Sequence, residues 1–415
     1  KGDAMATSLD KPALLGGTPV RGKPFPLWPV FDEREERNLL DVLHSREWGT
    51  HGGGRLLPEF EQKFAAYQHA AHGIAVANGS VALETAFFAA DFQPGDEVIT
   101  TPYTFIATIT AILRSGARPV FVDVDPETYQ IDASQIEGAV TTRTKAIVPV
   151  HLGGCPGDLD QILDVATRHH LLVVEDACQA WGAEWRGKRV GALGDAGTFS
   201  FQTSKNITAG EGGIVVTNRR DIFERCWSYR NVGRVPGGAW YQHEVLGWNY
   251  RLTEFQAAIL LPQLERLPEH TRQRTASARY LDERLAAIPG IAPMRRDERV
   301  TQNAWHLYML RYDPAGFHGL PRARFLEALR AEGIPASPGY TTPLAQVSAV
   351  QRAIQATYGP SGETWTPPSL PATERACATE AVWLGQTVLL GDREGAESVV
   401  AAIEKVQRYS EDLAG

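Results

Sequence analysis

The stretch Leu171-Leu172-Val173-Val174-Glu175-Asp176-Ala177-Cys178-Gln179 decides the fold. Its apolar run, with adjacent β-branched valines, predicts a buried strand over Leu171–Glu175 with the Asp176 carboxylate at its end. From about residue 58 to 217, similar short apolar runs alternate with helix-like segments, the pattern of a mainly parallel sheet covered by helices. The other expected strands are Gly73–Ala77, Glu97–Thr100, Pro119–Val122, Ala146–Val150, Thr198–Phe201 and Gly213–Thr217. Between them, Leu57–Tyr67, Val81–Ala90, Phe105–Ser115, Ser134–Ala139 and Leu159–His169 read as helices. The last two strands lie too close for a crossover helix, so that end is expected to carry an antiparallel strand.

Beyond this region, Thr253–Leu267 and Thr271–Ala287 read as two charged helices, the first kinked at Pro262. A smaller α+β unit should begin near residue 270, with a strand at His306–Tyr312, a helix at Arg322–Ala331 and a terminal helix containing Ala401–Tyr409. Gly359–Pro371, rich in Pro, Gly, Ser and Thr, reads as an exposed loop. The expected organisation is a tag remnant or flexible terminus over 1–12, with Lys1–Ala4 the remnant, a large domain with an N-terminal arm over 13–268, and a small C-terminal domain over 269–415.

Composition bounds the rest. The 415 residues are 43% hydrophobic and 22% charged, enough for a large core and two or three domains. A net charge of −8 without a basic run argues against nucleic-acid binding. The four cysteines, Cys155, Cys178, Cys226 and Cys377, form no CxxC pair, which argues against a zinc ribbon or disulfide scaffold and fits a reducing cytoplasm. No stretch reaches the roughly 18 apolar residues of a membrane span.

The phosphate loop GxxxxGK[ST], a well-placed GxGxxG, HExxH and GxSxG are all missing, which lowers ATPases, Rossmann dehydrogenases, zincins and common serine hydrolases. Three segments stand out instead: Ala77-Asn78-Gly79-Ser80, the Val174–Gln179 stretch, and Ser200-Phe201-Gln202-Thr203-Ser204-Lys205 with its following Gly210-Glu211-Gly212-Gly213. Each falls at a strand end or helix start, where an open α/β sheet binds ligands. Asn78-Gly79-Ser80 opens an apolar helix whose free N–H groups suit a phosphate, although taken alone it reads as an N-cap. A strand-end Asp176 is by itself a common turn residue, and Lys205 by itself a solvated surface lysine. Together, one phosphate cup, one carboxylate and one lysine match the needs of pyridoxal phosphate, in which the lysine forms a Schiff base and the acid pairs with the pyridinium nitrogen. The 29 residues from Asp176 to Lys205 allow both to reach one sheet edge.

The segments NGSVALETA, PYTFIAT, PVHLGG, VVEDACQAWGA, FSFQTSKNITAGEGGIV, RNVG and GWNYRLTEFQAAILLPQL, with the later HLYMLRY and EGIPASPGYTTPL, resemble the DegT/StrS family of sugar and cyclitol aminotransferases. The resemblance implies a fold-type-I enzyme with a mostly parallel seven-stranded sheet. It implies that Lys205 is the Schiff-base lysine and proton carrier, and that Asp176 keeps the pyridine nitrogen protonated. It further implies that Gln179 meets the phenolic oxygen, Phe105 stacks on the ring, and Gly79, Ser80 and Ser200 hold the phosphate. Asn249, matching an asparagine given by the adjacent subunit, implies a homodimer with shared sites. WPVFDEREERNLL, RYDPAGFHGL and VWLGQTVLL bring the chain nearest to the scyllo-inosose aminotransferases and aminohydroxybenzoate synthases.

The implied activity moves an amino group from glutamine or glutamate, through pyridoxamine phosphate, to a cyclitol or sugar ketone. Arg234, Trp240, Tyr241, His243, His306 and Tyr340 are the candidates for the acceptor pocket, and no metal is expected. Dehydration with aromatisation on the same cofactor, a nucleotide-sugar acceptor, and a regulatory protein retaining the fold are the alternatives. The intact Asp176, Gln179, Ser200 and Lys205 disfavour the last.

Overall fold

The computed structural model describes residues 11–49, 54–358 and 364–414. The expected tag remnant and the first residues of the 359–371 loop lie outside them. The strands in chain order are β1 (His72–Val76), β2 (Glu97–Thr100), β3 (Arg118–Phe121), β4 (Thr144–Val148), β5 (Leu172–Asp176), β6 (Glu184–Trp185), β7 (Lys188–Arg189), β8 (Ala196–Ser200) and β9 (Gly213–Thr217). Seven of them form one sheet in the order β1-β9-β8-β5-β4-β2-β3. Only β9 runs against its neighbours, at the end where an antiparallel strand was expected. Helices Leu56–Tyr67, Gly79–Ala90, Ile106–Arg114 and Leu159–His169 cover the sheet, each within two residues of its expected bounds.

Most residues of these strands are buried, so they read largely as short apolar runs, while the edge strand β3 is half-buried at Arg118 and Val120 and β4 exposes Lys145. On one side, Phe60 and Phe64 meet Phe199 and Phe201 edge-on, with ring centroids 5.1–5.4 Å apart, beside the fully buried Trp181. Ile74, Val76, Leu83, Phe87 and Val174 fill the other side.

The chain continues with β10 (Ile291–Pro293), β11 (Val300–Gln302), β12 (Leu307–Tyr312), β13 (Ala336–Ser337) and β14 (Ala381–Gly385). Four of these make an antiparallel sheet, β10-β12-β14-β13. It has its own core of Tyr308, Tyr312, Phe317, Phe325, Val399 and Ile403. β11 pairs instead with the β6–β7 hairpin in a separate three-stranded sheet, tying the later chain to the segment between β5 and β8.

One expectation is corrected. The two charged helices are a single helix, Glu254–Leu285, of 32 residues with Pro262 and Pro268 inside it. Pro262 has no N–H for the Ala258 carbonyl four residues back. Asn38 Nδ2 donates to that carbonyl at 3.2 Å and so replaces the missing bond.

Candidate active site

Asp176 and Glu175 are neighbours on β5, and the strand pleat sends them to opposite faces. Glu175 is wholly buried and accepts from the backbone N–H groups of Gly191, Leu193 and Gly194 at 2.7, 2.9 and 2.7 Å. His151 Nε2 is 2.9 Å from the same carboxylate, while its Nδ1 accepts from Gly157 N–H. Glu175 is therefore fully engaged in holding loops to the strand. Asp176 accepts from the Thr108 hydroxyl at 2.7 Å and the Cys178 N–H at 3.2 Å, and retains lone pairs for a further donor.

Gly79 opens the helix Gly79–Ala90. The cap is Asn78, whose side chain accepts from Val81 N–H at 3.0 Å, rather than Ser80. This leaves the amides of Gly79 and Ser80 without an intrahelical acceptor at the positive end of the helix. Gly79 admits no side chain, since a Cβ there would lie 2.6 Å from Ser200 Cβ and 3.3 Å from Cys178 Sγ. From the next strand, a Cβ on Gly213 would lie 2.4 Å from the Asn78 carbonyl oxygen. Ser200 ends β8, beside β5, so the cup and the Asp176 carboxylate share one sheet edge.

Lys205 follows β8 in a turn and is half-buried, its Nζ 5.9 Å from the Trp181 ring centroid. Burial pushes its amine below the ordinary lysine value, against the opposing influence of Cys178 and Asp176. The Cys178 thiol is raised well above its usual range, first by burial and then by Asp176. It is therefore a poor nucleophile beside the Lys205 amine. Gln179 is buried, with Oε1 accepting from Gly153 N–H at 2.7 Å. Tyr340 packs 4.9 Å from Trp383 and 5.4 Å from Tyr103, and burial followed by the Asp176 charge raises its hydroxyl.

Phe105 precedes the helix Ile106–Arg114 and is 59% exposed, open to a flat ligand on one side. His306 is buried, its ring 5.7 Å from Trp181, and so belongs beside Lys205. The remaining acceptor candidates gather elsewhere, on the exposed 231–249 loop. Arg234 lies 4.0 Å over the Trp240 ring, His243 Nδ1 sits 2.9 Å from the Val232 carbonyl, and Tyr241 is 83% exposed. Arg234 and Trp240 line a cavity of about 360 Å³ with Arg230, Asn231 and Arg251. Asn249 is exposed and bridges to Asn231.

Sequence reasoning missed Thr108, Trp181 and Trp28 at the site. Trp28 Nε1 donates to the Thr203 carbonyl at 2.9 Å, bringing the N-terminal arm onto the lysine turn. Each lies inside a segment quoted for the resemblance, PYTFIAT, VVEDACQAWGA and WPVFDEREERNLL, but was not singled out within it. Among the described residues no cluster could hold a metal ion and no helix is long and apolar enough to cross a membrane.

The chain is 41% identical over 416 residues to a putative L-glutamine:3-amino-2,3-dideoxy-scyllo-inosose aminotransferase of Streptoalloteichus tenebrarius, covering 97% of this chain and 99% of that one. It is 39% identical over 314 residues to a 3-amino-5-hydroxybenzoate synthase of Amycolatopsis mediterranei, covering 75% and 80%. The crystal structure of a 3-amino-5-hydroxybenzoic acid synthase superposes with a TM-score of 0.84 at 34% identity, over 94% of this chain and all of that one. That likeness makes the fold that of the fold-type-I pyridoxal-phosphate aminotransferases. With a family model matching residues 29–404, the chain belongs to the DegT/DnrJ/EryC1/StrS aminotransferase family and is an aminotransferase.

Proposed function

We propose that the protein is a cytoplasmic, homodimeric aminotransferase using pyridoxal phosphate, built as a large unit over 13–268 and a small unit over 269–415. It moves an amino group from glutamine or glutamate to a ketone on a cyclitol or sugar. The observation that carries the reading is the meeting of a desolvated Lys205, a partly free Asp176 carboxylate and the Gly79–Ser200 cradle at one sheet edge.

These residues fit the cofactor. The cradle at Gly79 excludes a side chain and offers two helix N–H groups to a phosphate. Bound there, pyridoxal phosphate supplies an electron-withdrawing ring and a carbonyl that exchanges amino groups. Gly79, Ser80 and Ser200 hold the phosphate, with Asn249 of the partner subunit completing the cup. Asp176, fixed by Thr108, holds the proton on the ring nitrogen. Phe105 covers the ring, and Gln179, its oxygen engaged by Gly153, directs its amide N–H groups to the phenolic oxygen. Lys205, lowered in basicity by burial, is free to take a proton from the donor's carbon and to return one in the second half-reaction. Arg234, Trp240, Tyr241 and His243 on the 231–249 loop, with Tyr340, bind the hydroxyl-rich acceptor.

The glutamine donor and the cyclitol acceptor follow the relatives' names. The test pairs inososes, ketoses and nucleotide-linked keto-sugars with glutamine, glutamate and alanine, and detects the amine by mass spectrometry. Amination of an inosose by glutamine is expected; no amination of any cyclic ketone would refute the reading. A second reading, dehydration with aromatisation, is favoured by the likeness to 3-amino-5-hydroxybenzoate synthase and retains Lys205. An aromatic amine formed from a cyclic dehydration substrate would distinguish it.

A further inference from the structure

The helical threonines Thr85, Thr167, Thr271 and Thr275 each donate to the carbonyl four residues back, at 2.6, 2.7, 2.8 and 2.8 Å, a common resting place for a hydroxyl on a helix. Thr108, in the first turn of the helix Ile106–Arg114, donates instead to Oδ2 of Asp176 at 2.7 Å. A hydroxyl carries one proton. That of Thr108 goes to the carboxylate, so its oxygen is left to accept, and the Thr104 hydroxyl 3.0 Å away is the donor to it. Both threonines are buried, which keeps water from competing for either bond.

The other oxygen of Asp176, Oδ1, accepts from Cys178 N–H at 3.2 Å. With a donor on each oxygen the plane of the carboxylate is fixed, and lone pairs remain for a ligand. Phe105 stands between the two threonines in sequence, and its carbonyl accepts from Thr108 N–H at 3.2 Å. One helical turn therefore carries both the aromatic ring assigned to cover the cofactor and the hydroxyls that hold its acid.

Resting on the reading of Asp176 as the acid on the ring nitrogen, we infer that Thr104 and Thr108 are positioning residues for that carboxylate and act in series. The bond from Thr104 holds the Thr108 hydroxyl toward Asp176 rather than toward the helix carbonyls, and polarises it. A proton donated to the carboxylate favours its charged form, so the proton it shares with the ring stays on the nitrogen. Thr104 thus acts on the ring through Thr108.

The test uses holoenzyme carrying pyridoxal phosphate labelled with nitrogen-15 in the ring, and the variants Thr108→Val, Thr108→Ser, Thr104→Val and the double Thr104→Val/Thr108→Val. Thr108→Val should move the ring-nitrogen resonance toward its unprotonated position and slow the donor half-reaction about tenfold, the worth of one bond to a charged group. Thr108→Ser keeps the hydroxyl and should restore most of both. Thr104→Val should give a smaller change in the same direction, about twofold in rate. It should add nothing in the double variant, where position 108 has no hydroxyl left to receive its bond. An unchanged resonance in Thr108→Val, no rescue by Thr108→Ser, an unchanged Thr104→Val, or losses that multiply in the double variant would each overturn the inference. If the variants lacking a hydroxyl do not fold, neutron diffraction of the wild-type protein decides, and a Thr108 proton aimed at Thr104 overturns it. An Asp176→Asn variant of undiminished half-reaction rate instead refutes the reading beneath it, independently of the threonines.

Discussion

Replacing Glu175 and Asp176 separately should divide folding from chemistry. In Glu175→Gln one oxygen remains for Leu193 and Gly194 N–H, but an NH₂ group replaces the oxygen that accepts from Gly191 N–H and His151 Nε2. Two buried donors then face a third. At about 1–3 kcal/mol for each unsatisfied donor, with the charge-assisted strength of the remaining bonds also reduced, the loss is about 3–5 kcal/mol, a large part of a typical domain's stability. Asp176→Asn loses far less. Its oxygen still accepts from Cys178 N–H, and the Thr108 hydroxyl rotates to accept from the new NH₂ group, so the cost is about 0–1 kcal/mol. Urea unfolding of the cofactor-free variants measures both, and stopped-flow measurement of the donor half-reaction measures the chemistry. Asp176→Asn should fold normally and lose most of its rate. A Glu175→Gln variant within about 1 kcal/mol of wild type, or an Asp176→Asn variant of undiminished rate, would refute the division.

Gly79→Ala drives a methyl into Ser200 and should weaken pyridoxal phosphate binding at least tenfold while leaving the far-ultraviolet circular dichroism unchanged, read by fluorescence titration. Asn38→Leu orphans the Ala258 carbonyl beside Pro262 and should cost about 1 kcal/mol in urea unfolding. Burial, then the charges of Arg274 and Arg266, lower His270 to about 4. Between its unfolded value of about 6.5 and about 4, the unfolded chain takes up a proton that the folded one refuses, so stability falls with pH through that window and levels below it. His270→Gln should flatten this part of the stability profile, and an unchanged slope would contradict the assignment.

All seven strands of the large sheet were legible because each is a short, mostly apolar stretch bounded by turns, the central ones buried on both faces. The two-residue strands β6, β7 and β13 carry no such signal. The long helix was read as two, with a kink at Pro262 and a break over 268–270 where Pro268 stands, whereas the side chain that compensates for Pro262, Asn38, lies far away in sequence. Asp176, Gly79 and Ser200 stood out in the sequence because each sits at a strand or helix end, and Lys205 because it follows β8 in the turn beside them. His306 was named from the sequence, and the fold places it beside Asn206 and Trp181, apart from the 231–249 loop of its own chain. The aromatic loop at 231–249 gathers four of the expected acceptor residues, Arg234, Trp240, Tyr241 and His243.

The two faces of β5 also constrain each other. Glu175 holds His151, and His151 begins the turn Leu152–Gly154, which Gln130 brackets by accepting from Leu152 N–H and donating to its carbonyl. Gly153 in that turn donates to Gln179, on the side where the Asp176 carboxylate stands. A carboxylate that never meets the substrate thus fixes the orientation of an amide in the site. Loosening Glu175 without unfolding the chain should therefore lower cofactor affinity through Gln179, whereas a change at Asp176 acts on the ring directly. The adjacency of Glu175 and Asp176 lets one short strand serve the core on one face and the chemistry on the other.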